Sequence, residues 1–436
     1  MIIKFKAKTS SLVTVSAVST CLIALCALSH PSFANAQDED AMHLTIDKKV
    51  EVTAKQVAFV PFAGSRALST IIENDLQASP LKITSQGLIG QPHSSDDLKV
   101  TLPAWQQLDI PYLVVGNSTS LSGNTQIDFE VIEVAQGRII KGKQSVNDSD
   151  PKVAARKASS RIYELITGKK IDLNASLLYI EEKGSGANKT STLILRNTDG
   201  SNPTPLISVT DASIYAPTAS PDGRYIAYSV QQKNNNAYLY IYDRQTKQIN
   251  PLVNLKGSNL NPSFSPDGSM ILFSSSASGN HDIYRVSSRG GQAERIIPLP
   301  YDQVSPKYLP NGSFVFVSDH IGNRPSIYRY NFSGAPTRIS RGGYATNPDV
   351  SPDGTKIAFL NGSNAAIMDM SGNIIANYGN TGLDQAPSFS PFGERVVYSQ
   401  GAKNSRLIIR YLDGGQPLTL SSNGVVKSPT WVPSGN

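Results

Sequence analysis

The chain has 436 residues, 39% of them hydrophobic, with 40 Lys+Arg against 34 Asp+Glu. That length is ample for two or more domains with ordinary cores. Three of the cations, Lys4, Lys6 and Lys8, stand at the very start; without the first 36 residues the balance is 37 (40 less 3) against 34, a net charge of about +3 that makes no case for a nucleic-acid partner.

Residues 1–36 read as a secretory signal peptide. The lysines lead into an apolar run from Leu12 to Leu28, and "FANAQ" follows, with small residues at Ala34 and Ala36, so cleavage is expected between Ala36 and Gln37. The alternative is a membrane anchor, which His30 and Pro31 disfavour. Both cysteines, Cys21 and Cys26, fall inside this segment. They follow Thr20 and Leu25, which are not the small residues of a lipoprotein signal. The mature chain is then expected to carry no disulfide and, lacking another apolar run of bilayer length, no direct membrane insertion. Export without anchor or disulfides points to a bacterial periplasm.

Residues 37–55 are charged and without strong periodicity, and are expected to be a flexible N-terminal arm. Residues 56–172 have the alternating grammar of a small α/β domain. "QVAFVPFAG" reads as a buried strand, followed by a helix with Leu68, Ile71, Ile72 and Leu76 on one face. "PAWQQLDIPYLVVGNS" reads as a short helix entering a strand at Tyr112 to Gly116. "QIDFEVIEV" and "GRIIKGKQSV" suggest a hairpin turning near Gln136 and Gly137. The last helix has Asp150 as N-cap, Pro151 in its first position, and Ala155, Ala158, Ile162 and Leu165 on one face.

From residue 173 to 436 one phrase recurs: "APTASPDG", "NPSFSPDG", "NPDVSPDG", "APSFSPFG". Its turn prolines, with two looser copies included, are Pro221, Pro266, Pro310, Pro352, Pro391 and Pro433, at spacings of 45, 44, 42, 39 and 42. Each turn opens a β-branched and aromatic run such as "YIAYSV" or "FVFVSD", then a second such as "YLYIYD" or "SIYRYN", and usually a short third. With the piece before the turn, each unit supplies four short strands, A to D, the signature of a β-propeller blade. The ends complement each other. "LLYIEE", "TLILRN" and "TPLIS" at the start lack a strand A, and "KSPTWVPSGN" at the finish is a strand A alone. The expected fold is therefore mixed: a small N-terminal α/β domain and a C-terminal six-bladed propeller closed by the C-terminal strand, which leaves no sheet edge open at the seam.

In "SPDG" proline presets φ, glycine accepts a positive φ, and Asp or Asn bonds local backbone amides. Asn311, Phe392 and Ser434 replace the acid of Asp222, Asp267 and Asp353 elsewhere, which favours a structural role over a calcium or catalytic one. The aromatics Phe264, Tyr308, Phe389 and Trp431 of strand A read as packing between blades. The four histidines outside the signal are isolated, and there is no nucleophile elbow, P-loop or G-x-G-x-x-G after a strand. No cofactor, metal or catalytic residue is expected. An enzyme working in the channel would need convergent carboxylates, whereas the strand A pieces show Ser, Thr, Pro and Asn; a carbohydrate binder using Tyr301 and Tyr344 stays open.

Taken in order, "AMHLTIDKKVEVTAKQVAFVPFAG", "AWQQLDIPYLVVG", "SDHIGNRPSIYRYNFSGAPTRIS" and "VKSPTWVP" resemble the TolB family of the Tol-Pal system over essentially the whole chain. The tail "VPSGN" departs from the family's aromatic-rich ending, and several strand A positions lack tryptophan. The resemblance implies a non-enzymatic, monomeric periplasmic adaptor for outer-membrane integrity and invagination during cell division. Its propeller would hold the peptidoglycan-associated lipoprotein Pal, and its arm would engage TolA, linking indirectly to TolQ and TolR. Because the "SPDG" and C–D turns share one propeller face, Pal is expected on the other, at the D–A linkers (Ser258, Asn259, Asp302, Gln303, Tyr344, Thr346, Asp384, Gln385) and the B–C loops (His281, His320, Arg324). For TolA the alternating Leu44, Ile46 and Val50 of the arm are expected to add as a strand to a partner sheet.

Overall fold

The computed structural model describes residues 54–85, 87–233, 236–319, 324–382, 387–402 and 405–435. The expected cleavage site at Ala36 and Gln37, and the arm residues Leu44, Ile46 and Val50, lie outside the described residues.

The N-terminal unit runs β1 (Gln56–Phe59), α1 (Arg66–Gln77), β2 (Lys82–Thr84), α2 (Ser95–Leu98), α3 (Leu102–Gln106), β3 (Tyr112–Leu121), β4 (Asn124–Glu133), β5 (Arg138–Ile139), β6 (Gln144–Asp148) and α4 (Pro151–Thr167). Strand β1 is parallel to β2 and β3 on either side, and β4 closes antiparallel on β3. Alternation along β1 sends Val57 and Phe59 to the face covered by α1 and α4, against Ile72, Leu76, Ala155, Ala158 and Ile162. Ala58 and Val60 meet Trp105 and Leu113 on the other face. Helix α4 starts as its sequence dictates, with the Asp150 carboxylate accepting the Lys152 amide at 2.8 Å.

Two local expectations change. Strand β3 does not stop at Gly116 but continues to Leu121 and turns at Ser122 and Gly123 (φ 50° and 83°) into β4. All ten of its residues pair with β4, through backbone groups that the polar "NSTS" does not advertise. The strand expected after Gln136–Gly137 is broken at Lys141 and Gly142 (φ 54° and 72°) into β5 and β6, both pairing with β4. Helix α2 is too short to show a period; it stands on a capping box between Ser94 and Asp97.

The rest is six four-stranded antiparallel sheets. In blade six, β7 (Ser176–Lys183), β8 (Thr190–Asn197) and β9 (Thr204–Thr210) take their innermost strand from Val425–Val432 at the far end of the chain. Counted from residue 213, the inner strands of blades one to five are Ser213–Ala219, Asn259–Phe264, Gln303–Tyr308, Ala345–Val350 and Ser388–Phe389. In the five inner strands where the residue before the first proline is described, that residue, Ala216, Asn261, Ser305, Asn347 or Ser428, has a φ between 44° and 56°, and the register slips there. A bulge is thus built into these staves of the channel wall, at about 1–2 kcal/mol of left-handed strain for the non-glycine residues.

The repeated phrase interlocks neighbouring blades. Each Asp or Asn binds its own turn: Asp267 accepts the Ser269 amide at 3.0 Å and Asp353 the Thr355 amide at 3.0 Å. The Ser265 hydroxyl foremost, with the Ser269 donors, holds Asp267 down at about 2; burial pushes Asp353 up, but the Ser351 and Thr355 donors outweigh it and hold it at about 2 as well. Four of the turn glycines, Gly223, Gly268, Gly354 and Gly393, back onto prolines of the preceding blade. A Cβ on Gly354 or Gly393 would meet Pro310 or Pro352 at 3.1 Å, and one on Gly223 would meet the Pro433 carbonyl at 2.5 Å. The aromatics pack as expected: Phe264, Phe389 and Trp431 are buried, and Trp431 Nε1 donates to the Ser388 carbonyl at 3.0 Å.

One layer of the channel wall departs from the expected Ser, Thr, Pro and Asn. The position after the first proline of each unit is Thr218, Ser263, Lys307, Asp349, Ser388 or Thr430, so two charges enter it. They face each other across adjacent blades, Lys307 Nζ 3.4 Å from Asp349 Oδ1. Asp349 Oδ2 also accepts the Ser388 hydroxyl at 2.9 Å and the Phe389 amide at 2.8 Å. The pair is a rivet between blades three, four and five.

The N-terminal unit is seated on the phrase face. Arg395 of blade five donates to the Asp172 carbonyl at 2.6 Å, with its guanidinium over the rings of Trp431 and Tyr411. Arg156 of α4 pairs with Asp199 of blade six at 2.5 Å, and Lys169 pairs with Asp413. Ser434, just past the closing strand, donates to Asp172 through both its amide and its hydroxyl.

Two outcomes check this reading by denaturant unfolding. Gly312→Ala, with a φ of 84° and open space around it, should cost about 1 kcal/mol, whereas Gly223→Ala adds a backbone clash and should cost at least ~2 kcal/mol more; equal losses would contradict the interlock. For the rivet, Lys307→Met should cost about 1 kcal/mol and Asp349→Ala about 2–3 kcal/mol because it also strips the Phe389 amide, with a coupling of ~0.5–2 kcal/mol in the double-mutant cycle. Strict additivity would show that the two do not interact.

Candidate partner-binding face

On the side away from the phrase, inner strands begin by hooking onto the blade before them. The Gln303 amide donates to the His281 carbonyl at 2.7 Å and the Ala345 amide to the Pro325 carbonyl at 2.9 Å. The Val426 amide reaches the Ser405 hydroxyl at 2.8 Å and the Ile214 amide the Ser191 hydroxyl at 3.1 Å. Linker and loop are therefore woven into one rim, whose outward side chains can differ from blade to blade while the backbone stays fixed.

The structure divides the residues expected to contact Pal. Ser258, Asn259 and Gln303 have buried side chains, which corrects their expected exposure. Asn259 Nδ2 donates to the Ala237 and Leu255 carbonyls, both at 3.1 Å, while its Oδ1 accepts the Ser275 hydroxyl at 2.7 Å. Gln303 Nε2 likewise turns to the Tyr301 carbonyl. An amide at the start of an inner strand satisfies the turn carbonyls beside it and shapes the face without lining it. His281 and Asp302 come together: Asp302 Oδ1 accepts the His281 amide at 2.9 Å and lies 3.6 Å from the His281 Nδ1. The Asp302 side chain is 35% exposed and the His281 side chain 14%. Arg324 is exposed, Tyr344 is 38% exposed and Thr346 is half-buried on the inner strand. His320, Asp384 and Gln385 lie outside the described residues. Tyr301, 45% exposed beside Asp302, joins the same stretch of rim.

The rim around blades two to four thus offers Tyr301, Asp302, Arg324 and Tyr344 to a partner: two aromatics, one acid and one base. That mixture suits a protein surface, with amphipathic rings to bury and charges to set register. At the opposite end a cavity of about 320 Å³ lies between the phrase prolines, with the Lys307–Asp349 pair in its wall. Among the described residues, no three His, Cys, Asp or Glu side chains are grouped to hold a metal ion, and no helix is long and apolar enough to cross a membrane.

Comparison with known proteins places both segments. The TolB amino-terminal domain model matches residues 42–140 and the TolB beta propeller domain model residues 163–435. The Tol-Pal system protein TolB of Acinetobacter baylyi is 33% identical over 220 residues, a stretch spanning 50% of this chain and 51% of that relative. That of Francisella tularensis subsp. mediasiatica is 29% identical over 354 residues, 76% of this chain and 80% of the relative. The crystal structure of TolB from Acinetobacter baumannii superposes with a TM-score of 0.75 at 29% identity, covering 87% of this chain and 97% of that one. With its α/β unit and its closed six-bladed ring both accounted for, the chain belongs to the TolB family of Tol-Pal system proteins.

Proposed function

We propose that this protein is a non-enzymatic periplasmic adaptor of the Tol-Pal system, exported by a signal cleaved between Ala36 and Gln37. It binds Pal on the rim of B–C loops and D–A linkers and TolA through Leu44, Ile46 and Val50 of the 37–55 arm, serving outer-membrane integrity and invagination during cell division. TolQ and TolR are reached only through TolA. The observation that carries the reading is the rim itself: fixed by backbone hooks, different in every blade, and exposing Tyr301, Asp302, Arg324 and Tyr344 together. In support of a binding rather than a catalytic role, the two charges of the channel layer are of opposite sign and pair with each other at 3.4 Å. Asp384, Gln385 and His320 belong to the same set of linkers and loops by sequence, and Asn259, Gln303 and Ser258 act beneath the rim.

The experiment is a titration of purified Pal into the full chain and its variants. Arg324→Ala combined with Tyr344→Ala should weaken binding at least ~30-fold, since buried aromatic and arginine contacts carry about 2 kcal/mol or more at an interface centre, with the unfolding midpoint unchanged. Phe392→Ala, on an exposed ring of the phrase face, should leave it unaltered. Equal loss from both changes, or none from the first, would refute the assigned face.

A further inference from the structure

The joint between the α/β unit and the propeller encloses a carboxyl that nothing neutralises directly. Asp75 lies in the last full turn of α1, and its Oδ2 is shut off from solvent with no hydrogen-bond partner among the described residues. Polar and charged groups of three elements stand within electrostatic reach of it. Helix α4 brings Arg156 and the Ser159 hydroxyl, blade five brings Arg395 and the Tyr411 phenol, and blade six brings Asp199. Both guanidiniums are committed elsewhere, Arg156 to Asp199 at 2.5 Å and Arg395 to the Asp172 carbonyl at 2.6 Å and to two aromatic rings. Burial therefore outweighs the attraction of Ser159, Arg156 and Arg395, and pushes Asp75 up from its ordinary 3.8 to about 6.

We propose that this joint is a proton-operated clasp, in which Asp75 takes up a proton as the α/β unit closes onto blades five and six and releases it as the unit lifts away. A carboxyl whose affinity for a proton is higher in the closed joint favours closure below its ordinary range, and that advantage is lost as pH rises through about 6. Closure is then favoured about tenfold more at about pH 5 than at about pH 7.5. Glu394, pushed up by burial beside Lys169 in the same joint, shifts in the same direction. Asp267 and Asp353 of the turns are held at about 2, so their contribution is constant over this range.

Hydrogen exchange on the full chain, corrected for intrinsic rates, tests the clasp at α1, α4 and Tyr411 to Asp413. In the wild type, opening should be about tenfold rarer at about pH 5 than at about pH 7.5, and Asp75→Asn should show the low-pH level at both. Equal opening at the two pH values in the wild type, or an undiminished pH dependence in Asp75→Asn, overturns the proposal. Should Asp75→Asn not fold, carboxyl ¹³C titration of Asp75 in the wild type decides: a midpoint of about 6 is expected, and one at the ordinary carboxylate value overturns it.

Discussion

The pairing of Val425–Val432 with Ser176–Lys183 is the constraint on which everything else hangs. It joins the two ends of the propeller sequence by a ladder that includes Val426 opposite Glu181 and Trp431 opposite Leu177; Lys427 clasps Glu182 across it, and Lys189, just before β8, holds the same carboxylate from the other side. This ladder turns six sheets into a ring with no strand of blade six left unpaired at the seam. It also fixes the neighbouring unit, because Trp431 stacks on Arg395 and Ser434 holds Asp172 in the connection from α4. One guanidinium, Arg395, touches the closing strand, blade five and the connection together.

The two faces of the ring divide the labour. On the phrase face, prolines, glycines and turn carboxylates repeat because each must fit its neighbour, and blades five and six are further modified to seat the α/β unit. Phe392 stands where three of the other turns have an acid, Asp222, Asp267 or Asp353, and Glu394 and Arg395 follow it. On the opposite face, the backbone hooks repeat and the outward side chains do not. Repetition thus marks where the protein holds itself together, and variation marks where it can meet something else.

Much of this was legible in the sequence, and what was not has physical reasons. Six turn prolines and two complementary ends gave away the ring, because blade geometry demands a period and closure demands a missing strand. Asp150 and Pro151 announced α4. The polar residues of the linkers were less readable: Asp302 and Gln303 are neighbours, yet one looks outward and the other turns onto the Tyr301 carbonyl. Nothing in one sequence separates a polar side chain that seeks water from one that satisfies a buried carbonyl. Lys307 and Asp349 were visible one residue beyond each first proline, but only the bulged strand shows that this position faces the channel. Asp75 sits beside the apolar stripe of α1, where an isolated helix would leave it in water; α4, with groups of blades five and six nearby, takes its Oδ2 out of solvent.

The proposed function turns on partner contact at the varied rim and not at the repeated phrase. Hydrogen exchange of the full chain with and without Pal measures this directly. Added protection should appear in residues 276–281, 300–303, 324–326 and 341–346, with residues 220–224, 265–269 and 351–355 unchanged. Protection concentrated in those phrase turns, with the rim unaffected, would contradict it.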